Sequence, residues 1–209
     1  MRYVAKTVAL LAATISLCSA AQAEPLISAF IGTQTTTSKL AYFVLDFNDP
    51  GPNPETYAFG WYYEGAKTGS DFVSELAGSL TGANGFVQTG ASGGFITRMG
   101  YSGRVLDGNV NPVGYWNLWL GFDGTNWTNS ELGSSSITLG DTPTFSSDGR
   151  LNSASWTGWR WVNDFNTDAP VAPRTPQQIV VAVPEPGVVT LFGAGLGVGF
   201  VLVRRRKRG

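Results

Sequence analysis

Two apolar runs near the ends of this chain limit how much of it can fold as a globule. The first spans Val8 to Leu17, behind Arg2 and Lys6 and ahead of Ala21-Gln22-Ala23. A charged start, an apolar middle and a small-x-small site form the pattern of a secretory signal peptide, so cleavage is expected after Ala23. The second runs from Val188 to Val203 and is followed by Arg204, Arg205, Arg206, Lys207 and Arg208. As a helix its 16 residues would rise about 24 Å, short of a hydrocarbon core of roughly 30 Å. Gly193, Gly195, Gly197 and Gly199 lower its helix propensity and form overlapping Gly-x-x-x-Gly pairs, a helix-packing pattern. A basic cluster after an apolar segment stays on the cytoplasmic side, which places the body of the chain across the membrane. Ahead of the run, Pro184 and Pro186 lack backbone donors and fix φ. They keep Val183 to Gly187 extended, open to the cleft of a processing enzyme.

Val183-Pro184-Glu185-Pro186-Gly187, the apolar run and the basic terminus stand in a fixed order. Together they resemble the PEP-CTERM sorting signal of Gram-negative bacteria. The resemblance covers the last 27 residues. It implies export across the inner membrane, transient anchoring through the 188–203 helix, and processing at Val183–Gly187 by an exosortase, a membrane transpeptidase-like protease. It further implies delivery to the cell surface or extracellular matrix alongside exopolysaccharide, as in a biofilm. Arg204 to Arg208 would serve as the cytoplasmic stop signal. The resemblance is silent on what the body does, and a permanently anchored inner-membrane protein with a periplasmic domain stays open beside it.

The expected organisation is a signal peptide (1–23), an extracellular domain (24–166), a Pro-rich spacer (167–182) and the sorting segment (183–209). The only cysteine, Cys18, falls inside the signal peptide, and Leu17 before it is too large for a lipidation site. The body therefore has no cysteine, and it has no histidine either. No disulfide can form, so its stability has to come from a packed core. Zinc, copper, haem and Cys- or His-dependent catalysis lack their usual ligands and nucleophiles, and no cofactor or metal is expected. From residue 24 through the spacer, seven bases face fourteen acids, a net charge of −7 that the basic ends conceal. An acidic body argues against nucleic acid as a partner.

Along the body, Leu40 to Phe47 is a buried strand rich in aromatic and β-branched residues. Asn48 to Glu55 is a turn, and Tyr57 to Tyr63 a second strand with Tyr57, Phe59, Trp61 and Tyr63 on one face. Ser70 to Leu80 predicts a helix with Ser70 as N-cap and Phe72, Val73, Leu76, Ala77 and Leu80 on its apolar face. Gly82 to Gly94 reads as loose. Phe95 to Tyr101, Tyr115 to Phe122, a short segment around Ile137 and Trp156 to Val162 read as strands. Strands, one helix and more strands predict an α+β domain that is mostly β, a small antiparallel sheet with one short helix. The order Val44-Leu45-Asp46-Phe47, Phe59-Gly60-Trp61-Tyr62, Thr68-Gly69-Ser70-Asp71, Tyr115-Trp116-x-x-Trp119, Trp127 and Trp159-Arg160-Trp161 also resembles uncharacterised secreted domains and the small cobalamin-transporter-like C-terminal domain of bacterial surface proteins. No binding residue is carried over from it.

Seven tryptophans lie in the body. Large aromatics supply core area, but an exposed ring face also stacks on the axial C–H groups of a pyranose. Alternation points to Trp119 and Trp127 as the surface candidates for glycan binding. Asp46-x-Asn48-Asp49-x-Gly51-x-Asn53-x-Glu55 has the look of a calcium loop, yet Pro50 and Tyr57 break the EF-hand template, and Asp and Asn in such turns cap the backbone. Glu64, Asp71, Glu75 and Glu131 are the carboxylates from which a glycosidase pair would be drawn. No phosphate loop or metal cluster occurs in the sequence. Two readings of the body follow: a non-catalytic domain of the polysaccharide matrix, or a secreted carbohydrate-active enzyme using carboxylates.

Overall fold

The computed structural model describes residues 26–50, 54–90, 94–111 and 113–176. The signal-cleavage residues Ala21 and Ala23, the Val183–Gly187 motif, the 188–203 run and the basic cluster at 204–208 lie outside the described residues. Among those that are described, no helix is long and apolar enough to cross a membrane.

Leu26 to Ile31 contributes only a short strand, β1 (Ala29–Ile31). The aromatic segments after it form β2 (Lys39–Asp46) and β3 (Thr56–Tyr63), an antiparallel hairpin in register from Lys39–Tyr63 to Asp46–Thr56. Helix α1 (Gly69–Ser79) follows. Its N-cap is Thr68 rather than the expected Ser70: the Thr68 hydroxyl accepts from the Asp71 amide at 3.2 Å, and the Asp71 carboxylate accepts from the Thr68 amide at 2.8 Å. This reciprocal box satisfies two otherwise orphaned donors, which a cap at Ser70 would not do. Ser70 lies in the first turn, and its hydroxyl pairs with that of Ser134 at 2.8 Å. Phe72, Val73 and Leu76 are buried, as their spacing predicts, while Ala77 and Leu80 are half-buried.

The Gly-rich stretch after the helix contains an unforeseen strand, β4 (Val87–Gly90), which pairs with β5 (Ile96–Tyr101). β5 turns into β6 (Arg104–Asp107), completing a three-stranded sheet. The chain continues through β7 (Tyr115–Gly121), β8 (Trp127–Asn129), a 3-10 turn at Ser134–Ser136, β9 (Thr138–Leu139), β10 (Ser153–Ala154) and β11 (Trp156–Val162). The fold is mostly β with one α-helix among the described residues. Its main sheet has six strands in the order β1-β3-β2-β11-β7-β8. Most pairs are antiparallel, but β1 with β3, β2 with β11 and β9 with β10 run parallel.

Period-two alternation divides this sheet into two faces. The inner face carries Phe43, Leu45, Phe59, Trp61, Leu118, Trp159 and Trp161, buried beneath α1 and the β4–β6 sheet. Phe72 of α1 meets Phe43 edge-on at 5.8 Å and Trp61 at 5.3 Å. Burial of this size, at about 25 cal/mol per Å² of apolar surface, supplies the stability that disulfides would otherwise give.

Candidate functional site

The outer face is built differently. One cross-strand row runs through all six strands: Phe30, Gly60, Tyr42, Trp156, Gly121 and Trp127. Rings alternate with glycines because the rings lie on the bare backbone. A Cβ on Gly60 would run into the Phe30 ring, and one on Gly121 would stand 3.2 Å from that of Trp127. Tyr42 and Trp156 stack at 4.2 Å, Phe30 and Tyr62 at 5.6 Å, and Trp127 meets Trp156 edge-on at 6.4 Å. Trp156 is buried, Tyr42, Tyr62 and Trp127 are half-buried, and Phe30 is 51% exposed.

The adjacent row holds Ala58, Val44, Gly158, Trp119 and Asn129. Trp119 and Trp127 thus share the outer face at the β7–β8 edge, on neighbouring rows. Both are half-buried. Trp127 also lies within 3.0 Å of the place a Cβ on Gly158 would take, so it serves the packing of the face as well as lining it. Trp119 carries the one buried side-chain nitrogen or oxygen without a hydrogen-bond partner among the described residues, its indole Nε1. Such an orphan donor costs about 1–3 kcal/mol. Beside it Asn117 donates to Asn129 at 3.0 Å.

Residues 167–176, expected to begin a spacer, are strapped across this face. The anchor is Arg174 on Asp46. Its Nη2 donates to Asp46 Oδ1 at 2.6 Å, its Nε to Oδ2 at 3.0 Å and its backbone amide to Oδ2 at 2.9 Å. Asp46 is fully buried at the end of β2. Arg160 approaches the same carboxylate at 3.7 Å, donates to Asn48 Oδ1 at 2.6 Å and donates to the Ala172 carbonyl at 2.7 Å. Burial lowers the Arg160 pKa, whereas the hydrogen bonds to Asp46 raise that of Arg174. Pro173 sits over Gly158, the Thr175 hydroxyl donates to the Gly124 carbonyl at 2.5 Å, and the Leu26 amide donates to the Pro176 carbonyl at 2.8 Å. The packed part of the chain therefore runs through Pro176.

The loop with the look of a calcium site has its described carboxylates engaged by arginines. Asp46 holds Arg174. Arg104 donates to Asp49 Oδ1 at 2.7 Å and to Glu55 Oε2 at 2.7 Å, and its guanidinium lies 4.6 Å from the Phe47 ring centre. The hydrogen bonds from Arg104 hold the Asp49 carboxyl below the ordinary aspartate range. Burial, aided by the hydrogen bond to Glu55, pushes the Tyr57 hydroxyl up.

The four carboxylates proposed for acid–base work stand in separate local partnerships. Glu64 accepts from Thr35 and Thr37 at 3.0 Å each. Asp71 closes the helix cap, Glu75 accepts from Ser79 at 3.0 Å, and Glu131 pairs with Arg150 at 3.1 Å. Sequence reasoning missed Phe30, Tyr42 and Tyr62 as part of the aromatic face. Only the strand register brings them into line with Trp156 and Trp127, and spacing along one strand does not reveal it.

Compared with protein-family models, with curated proteins and with solved structures, the chain matches none of them.

Proposed function

We propose that the chain is an exported, non-catalytic protein of the cell surface or extracellular matrix, sorted by an exosortase through Val183–Gly187 and associated with exopolysaccharide. The observation that carries this reading is the order of motif, apolar run and basic cluster at one end, matched by a secretory signal at the other. Support for the polysaccharide partner comes from the outer face, where Phe30 and Tyr62 at one edge and Trp119 and Trp127 at the other offer partly exposed rings to sugar C–H groups. The non-catalytic part is favoured by the scatter of Glu64, Asp71, Glu75 and Glu131 among unrelated local partners, where a glycosidase needs two carboxylates facing one bond.

Two measurements test this. Intact mass of the protein recovered from its host should show a new C-terminus within Val183–Gly187; a mass ending at Arg208-Gly209 overturns the sorting. Full-length protein in mild detergent should be retained by the host's exopolysaccharide without shortening it. Shortened chains would favour the secreted enzyme instead.

A further inference from the structure

At the open edge of the main sheet, bordering the outer face at Asn129, lies a cleft of about 490 Å³. β8 is the last strand there. The hairpin that closes the cleft bridges Phe145 to Leu151. Phe122, Phe145 and Leu151 give it an apolar floor, and Thr128, Glu131 and Arg150 stand at its rim. An apolar cleft of a few hundred Å³ with a small number of convergent polar groups is the usual form of a small-ligand site.

Phe145 is the feature that calls for an explanation. It is 63% exposed, the most exposed phenylalanine among the described residues. The chain does not leave it loose. On one side, the Ser146 amide donates to the Arg150 carbonyl at 2.8 Å and the Gly149 amide to the Ser146 carbonyl at 2.9 Å, with Gly149 at φ +81° where a side chain would be strained. On the other, the Thr144 amide donates to Ser153 Oγ at 2.7 Å and its hydroxyl to Asn152 Oδ1 at 2.8 Å. A ring with both neighbours tied down and most of its surface in water is pre-organised for a partner that lies flat against it.

The rim decides what kind of partner. Arg150 Nε bridges Glu131 Oε2 at 3.1 Å and Asp148 Oδ2 at 3.2 Å. The Glu131 carboxylate, the Arg150 guanidinium and the Thr128 hydroxyl all line the cleft, a set that suits hydroxyl groups that both donate and accept. The one guanidinium of the lining is already paired with Glu131, and the body carries a net charge of −7. Both disfavour a polyanion. We infer that this cleft binds a short run of uncharged pyranose units, stacked on Phe145 with their hydroxyls held by Glu131, Arg150 and Thr128. The inference rests on the polysaccharide-associated reading above and adds to the outer face a second, more closely shaped contact point.

The test is gel-retardation of full-length protein in mild detergent, with dextran, a neutral β-glucan and a galactan as uncharged probes and alginate as the acidic one. At least one neutral polymer should retard the wild type, and alginate should do so less. Phe145→Ala should weaken that binding about tenfold or more, and Glu131→Gln several-fold, with the melting temperature of Phe145→Ala unchanged because the ring is exposed. Val110→Ala, an exposed residue of the loop between β6 and β7 that belongs neither to the cleft nor to the outer face, should bind as the wild type does. Equal binding by Phe145→Ala and wild type overturns the cleft but leaves a polysaccharide partner standing. Stronger retardation by alginate overturns the uncharged ligand. No retardation by any polymer, the host's exopolysaccharide included, overturns this inference together with the reading on which it rests.

Discussion

On the inner face of the six-stranded sheet, Phe43, Phe59 and Trp159 are sealed beneath a helix and a second sheet. On the outer face, Phe30, Tyr42, Tyr62 and Trp127 keep part of their rings in water, and the cover is an extended strap. The inner layer is held mainly by apolar area, with Arg104 of the covering sheet tied to Asp49 and Glu55 at its margin. The outer layer is thin because rings lie on glycines, and its cover is pinned by the Asp46–Arg174 pair. One sheet thus combines a face sealed by packing with a face whose cover is tied by polar contacts centred on the buried Asp46.

Substitutions should separate the two. Phe59→Ala, which empties the inner core, should lower unfolding stability in urea by about 3–5 kcal/mol; a loss near zero would mean that the inner face is not the main core. Asp46→Ala should cost roughly 3 kcal/mol, the lower end for breaking a buried pair, because the strap can swing out and let water reach Arg160 and Arg174. Its distinguishing readout is fast hydrogen exchange at the Arg174 amide while core amides stay protected. Gly158→Ala should cost about 1–2 kcal/mol, since its methyl would meet Pro173 and Trp127 together. Gly60→Ala should cost less, because only the half-exposed Phe30 ring has to move; equal costs would remove the distinction between a strapped and an open part of the face.

The smallest effect is one of pH. The folded Asp49 carboxyl sits below its ordinary value of 3.8. Its contribution is therefore complete above that value and is lost as the pH falls through the lowered folded one. Partial exposure keeps it under about 1 kcal/mol. Melting temperature should fall less steeply below pH 3.8 in Asp49→Asn than in the wild type, and parallel curves would show that the Arg104 contact adds nothing.

The long strands were legible because their composition alone marks them. Leu40–Phe47, Tyr57–Tyr63, Tyr115–Phe122 and Trp156–Val162 each lie within a residue of an observed strand. β4, β6, β8 and β10 have two to four residues each, many of them Gly, Ser, Thr or Asn, and exist because a neighbour offers a hydrogen-bonding edge. The strap was hidden for another reason. Pro170, Pro173 and Pro176 give it the composition of a linker, and its anchor joins residues 128 positions apart. The Asp46–Glu55 loop shows the same limit. Spacing shows that carboxylates converge, but not that Arg104 and Arg174 arrive to meet them. Of the surface candidates, Trp119 and Trp127 were legible from alternation, whereas their neighbours on the face depend on register.

β11, the last strand among the described residues, occupies the middle of the sheet. Its residues pair with β2 on one side and β7 on the other. Without it the sheet falls into two pieces, β1-β3-β2 and β7-β8, with no strand in common. The first piece can form by local contacts early, but joining the halves requires closing a loop from Tyr42 to Trp156, and such non-local pairing is slow. A chain that emerges N-terminus first, as in synthesis, therefore lacks its keystone until Trp156–Val162 has followed the rest, and the two halves of the sheet can be joined only then.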